Sequence, residues 1–326
     1  MLERTTPMTG HPVAAGWSEG DGYHHGAAIY SSDEQFVDQM GVFIGDGIAR
    51  GEPVVLALSM EQEALLTSAG VGLDARKLGA NYYRDPLSAL SGYRTLVSDY
   101  IQAGSARVRL VGDLPSHNIQ AWDGWARYEA SCNHFLADLP ALALCTYDTR
   151  TSTPIVLSDA ARVHPFHTAS DGRQVSASEY VPPVAFLEEW TGRTTDRLEV
   201  TAPALVLTDP VLGAARQAVA RLATRFGVPE SGLVLAVSEV VANAQRHGRP
   251  PVTVRAWGSP GRVVVTVTDE GPGPTDPFAG LLSPDLEATD GRGLWMAHYL
   301  CDVAAISLVE GRCTVRLVAS AATPDF

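Results

Sequence analysis

Between Leu233 and Ala244 the apolar residues Leu233, Val237, Val240, Val241 and Ala244 recur at helical spacing, which predicts a helix with one stripe seated on a core. That stripe constrains what lies opposite. Glu239 and Asn243 fall four residues apart on the polar face, one turn above each other. A carboxylate and an amide placed this way can serve as a general base and as a metal-binding carbonyl oxygen. His247 continues the line, and Gly248 is expected to end the helix in a left-handed cap.

A Glu and an Asn on one helix are ordinarily a solvated face, so the pattern gains weight only from its company. Arg262 to Thr268 is dense in β-branched residues and reads as a strand. It runs into Asp269-Glu270-Gly271-Pro272-Gly273, where Gly271 and Gly273 leave room for a ligand to approach the backbone. Alone, that stretch is a turn. Gly291-Arg292-Gly293 then opens an apolar helix from Leu294 to Leu300, whose first amide groups can hold phosphates. Arg292 is a candidate phosphate contact there.

In order and spacing, these stretches resemble the GHKL (histidine-kinase-like, HATPase) ATP-binding fold, in its anti-sigma-factor serine/threonine kinase branch, over about 205–320. Ser238 to Gly248 resembles the N box, Asp269 to Gly273 the first glycine box and Gly291 to Gly293 the second. The resemblance implies that ATP and Mg²⁺ are bound, with Asn243 on the metal, Asp269 accepting from the adenine amino group and Glu239 as catalytic base. Residues 274–290 would form a lid. It also implies two partners, a sigma factor and a STAS-type anti-anti-sigma protein bearing the phosphoacceptor serine or threonine, and it is compatible with a homodimer. The alternatives are an ATP-dependent clamp that sequesters its partner without catalysis, and a sensor histidine kinase. The last would need a phosphoacceptor His on a helical hairpin, and Thr168 to Leu207 contains no histidine.

From Tyr23 to Phe166 strand and helix signals alternate, which favours a mainly parallel sheet covered by helices. Strands are expected at Gly26–Tyr30, Val54–Leu58, Asn81–Tyr83, Val108–Val111 and Leu142–Tyr147. Helices are expected at Asp33–Arg50, after a capping box of Ser59 and Gln62, and at Leu87–Ala103 and Ile119–Leu136. Asp113, just beyond a strand, fits a ligand pocket or, more simply, a capping or turn carboxylate. This half resembles the MEDS sensory domain, a RecA-like module, on His25 to Tyr30, Gly47 to Val54, Cys145 to Asp148 and His164 to Phe166. No Gly-x-x-x-x-Gly-Lys-[Ser/Thr] loop follows the first strand, so this domain is not expected to hydrolyse ATP, and a small-molecule ligand is the implied input.

The expected organisation is a disordered tail over 1–22, a sensory domain over 23–167, a linker over 168–200 and the ATP domain over 201–321. Val184 to Trp190 forms a short helix within the linker. Asp209 is expected to cap a helix from Pro210 to Arg225 that Gly227 ends, and the final strands complete a mixed or antiparallel sheet with helices on one face. A net charge of −13 lacks the broad basic surface that nucleic-acid phosphates require. No apolar leader or membrane-length run is present, so a cytoplasmic location is expected. Cys132, Cys145, Cys301 and Cys313 form no Cys-x-x-Cys pair, and His24, His25, His164 and His167 carry no ligand spacing, so these histidines read as structural.

Overall fold

The computed structural model describes residues 22–78, 80–83, 86–114, 119–190, 196–281 and 292–321. The tail expected over 1–22 therefore lies outside the described residues apart from Gly22. Contacts divide the chain into two compact units, the first running to Tyr180 and the second from Val181. Residues 86–92 and 119–131 group with the second.

The first unit begins with β1 (His24–Tyr30), α1 (Asp33–Ala49), β2 (Val54–Ala57), α2 (Met60–Ser68) and β3 (Arg76–Lys77). After a short 3-10 turn come α3 (Pro86–Gln102), whose residues to 92 group with the second unit, β4 (Val108–Gly112), α4 (Ile119–Phe135), whose residues to 131 do likewise, β5 (Ala141–Asp148), α5 (Pro154–Val163), β6 (Phe166–Thr168) and β7 (Gln174–Ser176). The sheet order is β3-β2-β4-β5-β1-β6-β7, parallel throughout except for the β6–β7 hairpin. β1, β2, β4 and β5 are buried along nearly their whole length because both faces are covered. On one face Phe36, Met40, Phe43 and Ile44 of α1 and Leu66 of α2 pack with Ala28, Leu56, Val111, Leu142 and Leu144. Ser59 and Gln62 form the expected capping box, and Gln62 reaches on to the Tyr30 hydroxyl at 3.1 Å. Asp113 extends the ladder through its N–H to Ala57 and accepts from the Thr146 hydroxyl at 3.1 Å.

Two expectations fail in this unit. Asn81–Tyr83 lies in a 3-10 turn, not a strand. Tyr83 bonds the Tyr93 hydroxyl and lies against Gly112, where any Cβ would meet its oxygen. Tertiary packing of a tyrosine has overridden its β propensity. The polar run after Thr168, expected as linker, contains β7.

The second unit continues with α6 (Pro183–Trp190), β8 (Leu205–Thr208), α7 (Leu212–Phe226), α8 (Glu230–His247), β9 (Thr253–Ser259), β10 (Arg262–Asp269), α9 (Arg292–Leu300), β11 (Val303–Val309) and β12 (Arg312–Ser320). Its sheet, β11-β12-β10-β9-β8, is antiparallel at every pairing. Ala215, Val219, Leu222, Leu233, Val237, Val240, Val241 and Ala297 of the three helices share a core with Val254, Val263, Val265, Val267 and Leu317. The fully enclosed valines contribute about 1.5–3 kcal/mol each. On the opposite face Leu198 joins Trp257, Val264 and Val318. There Trp257 donates its ring N–H to Thr201 O at 2.9 Å, and Glu199 and Asp196 pair Arg316 and Arg262.

Asp209 does not cap α7, which has no side-chain cap. Held at a positive φ of 45°, it makes two hydrogen bonds to Val252, the residue before β9: its N–H donates to Val252 O and its carboxylate accepts from Val252 N at 2.8 Å. Gly227 ends the helix in the left-handed region as expected.

His298 of α9 has its Nε2 enclosed without a hydrogen-bond partner. Burial first, then the charge of Arg127, holds its pKa well below the ordinary 6.5. The unfolded chain takes up this proton near pH 6.5 while the folded chain resists it, so stability is complete above that pH and falls as pH drops below it. Urea midpoints from pH 8 to pH 5 are expected to fall more steeply for the wild type than for His298→Gln. Parallel curves would show that this imidazole is not the source.

Candidate functional site

The three sequence stretches meet along α8. The buried stripe of the helix is Leu233, Ala236, Val237, Ser238, Val240, Val241 and Ala244, and this fixes Glu239 and Asn243 on the outer, half-buried side. Ser238 is locked inward, its hydroxyl donating to Val234 O and accepting from Arg216 Nε, each at 2.7 Å.

Gly293, in the first turn of α9, packs against both of these side chains. A Cβ at this position would lie 2.9 Å from Asn243 Nδ2 and 3.1 Å from Glu239 Oε2. The glycine lets the amide-rich start of α9 lie close beside the carboxylate and the amide. Arg292, the first residue of α9, is exposed beside it. Gly291 and residues 282–290 of the stretch expected to form a lid, 274–290, lie outside the described residues.

Asp269 ends β10 and is 6% exposed. Its Oδ1 accepts from Gly271 N at 2.7 Å and Arg249 N at 3.3 Å, while Glu270 N donates to Arg249 O at 2.9 Å. The first glycine box is therefore clamped to the end of α8. Gly248 ends the helix, but with φ −83° and ψ −165° it is extended, not left-handed. Its requirement is spatial: a Cβ there would sit 2.3 Å from Asp269 Oδ1, and one on Gly271 would sit 2.6 Å away. Gly273 has a true left-handed φ of 68° and turns the chain over Cys313 and Leu308. Burial, reinforced by the charge of Asp269, pushes the Cys313 thiol up to about 12, so it stays protonated.

At a rise of 1.5 Å per residue, Glu239, Asn243 and Gly248 are spread over roughly 14 Å of α8. One end of that line carries Asp269 with its clamped glycines, and the other carries Glu239, Asn243 and Gly293. Sequence reasoning left Arg246 without a role. Its Nη2 donates to Asn243 Oδ1 at 3.0 Å, and its Nε donates to Ala242 O. An i,i+3 spacing between an amide and an arginine is the signal that could have found this contact.

Residues 208–319 match the family described as "Histidine kinase-like ATPase domain", and residues 24–165 match "MEthanogen/methylotroph, DcmR Sensory domain", or MEDS. The chain joins a MEDS sensory domain to a histidine kinase-like ATPase domain. No curated protein matches the chain. The mainly parallel first sheet and the helix-backed antiparallel second sheet agree with this pairing. The ATPase domain makes the chain an ATP-binding, kinase-like regulatory protein in broad class. Among the described residues no helix is long and apolar enough to cross a membrane.

Proposed function

We propose that the ATPase domain binds Mg²⁺-ATP and transfers the γ-phosphoryl group to a serine or threonine of a STAS-type anti-anti-sigma protein. It thereby controls the availability of a sigma factor in the cytoplasm, with the MEDS domain as sensory input. The observation that supports this reading is the packing of Gly293 against Glu239 Oε2 and Asn243 Nδ2, which brings a carboxylate and a carboxamide beside the first turn of α9. A clamp that only sequesters its partner has no use for the carboxylate.

In this reading the free oxygen of ATP recognition is on Asp269. Oδ1 is already held by Gly271 and Arg249, and Oδ2 accepts from the adenine amino group. Gly271 and Gly273 keep the backbone clear beside the base, while the first amides of α9, with Gly291 and Arg292, bind phosphate oxygens. Asn243 would hold Mg²⁺ through Oδ1 once the exposed Arg246 swings off that atom, and the ion would supply charge neutralisation on the phosphates. Glu239 takes the proton of the acceptor hydroxyl as its oxygen bonds to the γ-phosphorus. The bond from that phosphorus to the β–γ bridging oxygen breaks, and ADP leaves.

The test is transfer of labelled γ-phosphate to a candidate STAS protein, with nucleotide affinity measured in parallel. Label is expected on a serine or threonine of the partner. Asp269→Asn retains a carbonyl for Gly271 and Arg249 but presents a donor to adenine, and should weaken ATP binding by about tenfold to a hundredfold. Binding without transfer to any STAS protein would favour the clamp, and acid-labile label on a histidine of this chain would indicate a histidine kinase.

A further inference from the structure

We infer that the MEDS domain holds a zinc-class divalent cation on His25, Cys145 and His164. No linear motif joins these residues; the sheet brings them together. The β1–β5 register pairs Ala27 with Cys145, and alternate residues of a strand share a face. His25 and Cys145 therefore look out from the same side of the sheet. Ala28, Tyr30, Leu142 and Leu144 occupy the other side, against α1 and α2. His164 closes α5 immediately before β6, and β6 lies along β1 on the side away from β5. Two neighbouring strands and the corner leading into a third thus deliver one donor each.

The donor atoms all lie within 4.8 Å of one another. His25 Nε2 stands 3.3 Å from Cys145 Sγ. A tetrahedral ion with Zn–S near ~2.3 Å and Zn–N near ~2.0 Å separates a sulfur and a nitrogen ligand by roughly 3.5 Å, so this edge is already at ligand spacing. The two imidazole rings approach to 4.1 Å between centroids.

His164 Nδ1 bonds Ala160 O at 2.8 Å. A carbonyl can only accept, so in the neutral ring Nδ1 carries the hydrogen and Nε2 the lone pair. This outward bond is the one that metal-binding histidines make to fix their tautomer and orientation. All three residues are buried, at 1%, 7% and 0% exposure. Two imidazoles and a thiol at buried positions carry desolvation costs that aliphatic side chains would avoid.

A thiol–imidazole hydrogen bond already joins His25 and Cys145. Thiolate with imidazole favours zinc-class ions over Mg²⁺ or Ca²⁺. The residues supply three of the four donors a tetrahedral ion takes, and binding releases the Cys145 thiol proton to solvent.

The experiment uses the untagged full chain, reduced, stripped with chelator, free of nucleotide and reloaded with Zn²⁺ or Co²⁺. One tightly held equivalent per chain is expected by elemental analysis, and the Co²⁺ form should show thiolate-to-cobalt charge-transfer absorption with tetrahedral visible bands. Cys145→Ser should abolish the charge-transfer band, and His164→Gln should reduce the stoichiometry. Cys132→Ser and Cys313→Ser should leave both unchanged. Absence of the charge-transfer band in the wild type overturns the inference, and that measurement needs no variant to fold. Its persistence in Cys145→Ser does so equally.

Discussion

Glu239→Ala is expected to slow phosphoryl transfer to the partner by about a hundredfold to ten-thousandfold, the usual weight of a positioned general base, while ATP affinity stays essentially unchanged. Glu239 projects from the half-buried side of α8, and none of the enclosed stripe residues depends on it. Removing its carboxylate leaves Gly293 with more space and leaves Asp269, Gly248 and Gly271 in their clamp. Binding and chemistry should therefore separate. Single-turnover transfer and equilibrium nucleotide binding, measured on one preparation, give the two numbers. If both fall together, Glu239 supports the fold of the pocket and is not its base. If neither falls, the proton leaves by another route.

How much of this site was legible in the sequence depended on whether each constraint was local. The α8 stripe was readable because helical period alone fixes Leu233, Val237, Val240, Val241 and Ala244 inward, and Glu239 and Asn243 follow. The glycines were readable as glycines but not for their reasons. Gly248 looked like a helix cap, yet Asp269, distant along the chain, is what forbids its side chain. Asp209 looked like a cap because Asp often is one, but Val252, just ahead of β9, engages it from beyond α8. α5 went unread although Pro154 at its start and Val156, Ala160 and Val163 at helical spacing announce it. The β6–β7 hairpin is too short and polar for any period to show. His25, Cys145 and His164 are joined only through strand register, which no spacing in the sequence encodes.

Arg109→Met is expected to cost the MEDS domain about 3 kcal/mol, the lower end of the range for breaking a buried ion pair. Arg109 sits in the middle of β4 at 1% exposure. Its guanidinium donates to Glu52 Oε2 and to Phe43 O at 2.6 Å each, bonds Asp46 Oδ2, and lies over the Phe43 ring at 5.0 Å. Room for it comes from Gly47, where a Cβ would meet its side chain at 2.6 Å. Burial alone would raise the Asp46 carboxyl, but hydrogen bonds from Arg109 and Arg50 outweigh it and hold the group below the ordinary range. Methionine fills similar volume yet leaves Asp46 and Glu52 charged, with only 10% and 13% of their side chains exposed. Arg50 remains on Asp46 at 3.0 Å, which is why the lower figure is chosen. Amide hydrogen exchange in β1, β4 and β5 should quicken by roughly a hundredfold, as that free energy requires. Adding Asp46→Asn and Glu52→Gln to Arg109→Met should restore part of the loss, because the penalty lies in the stranded charges. An Arg109→Met chain that exchanges like the wild type would mean that water reaches these carboxylates and the pair contributes little to the fold.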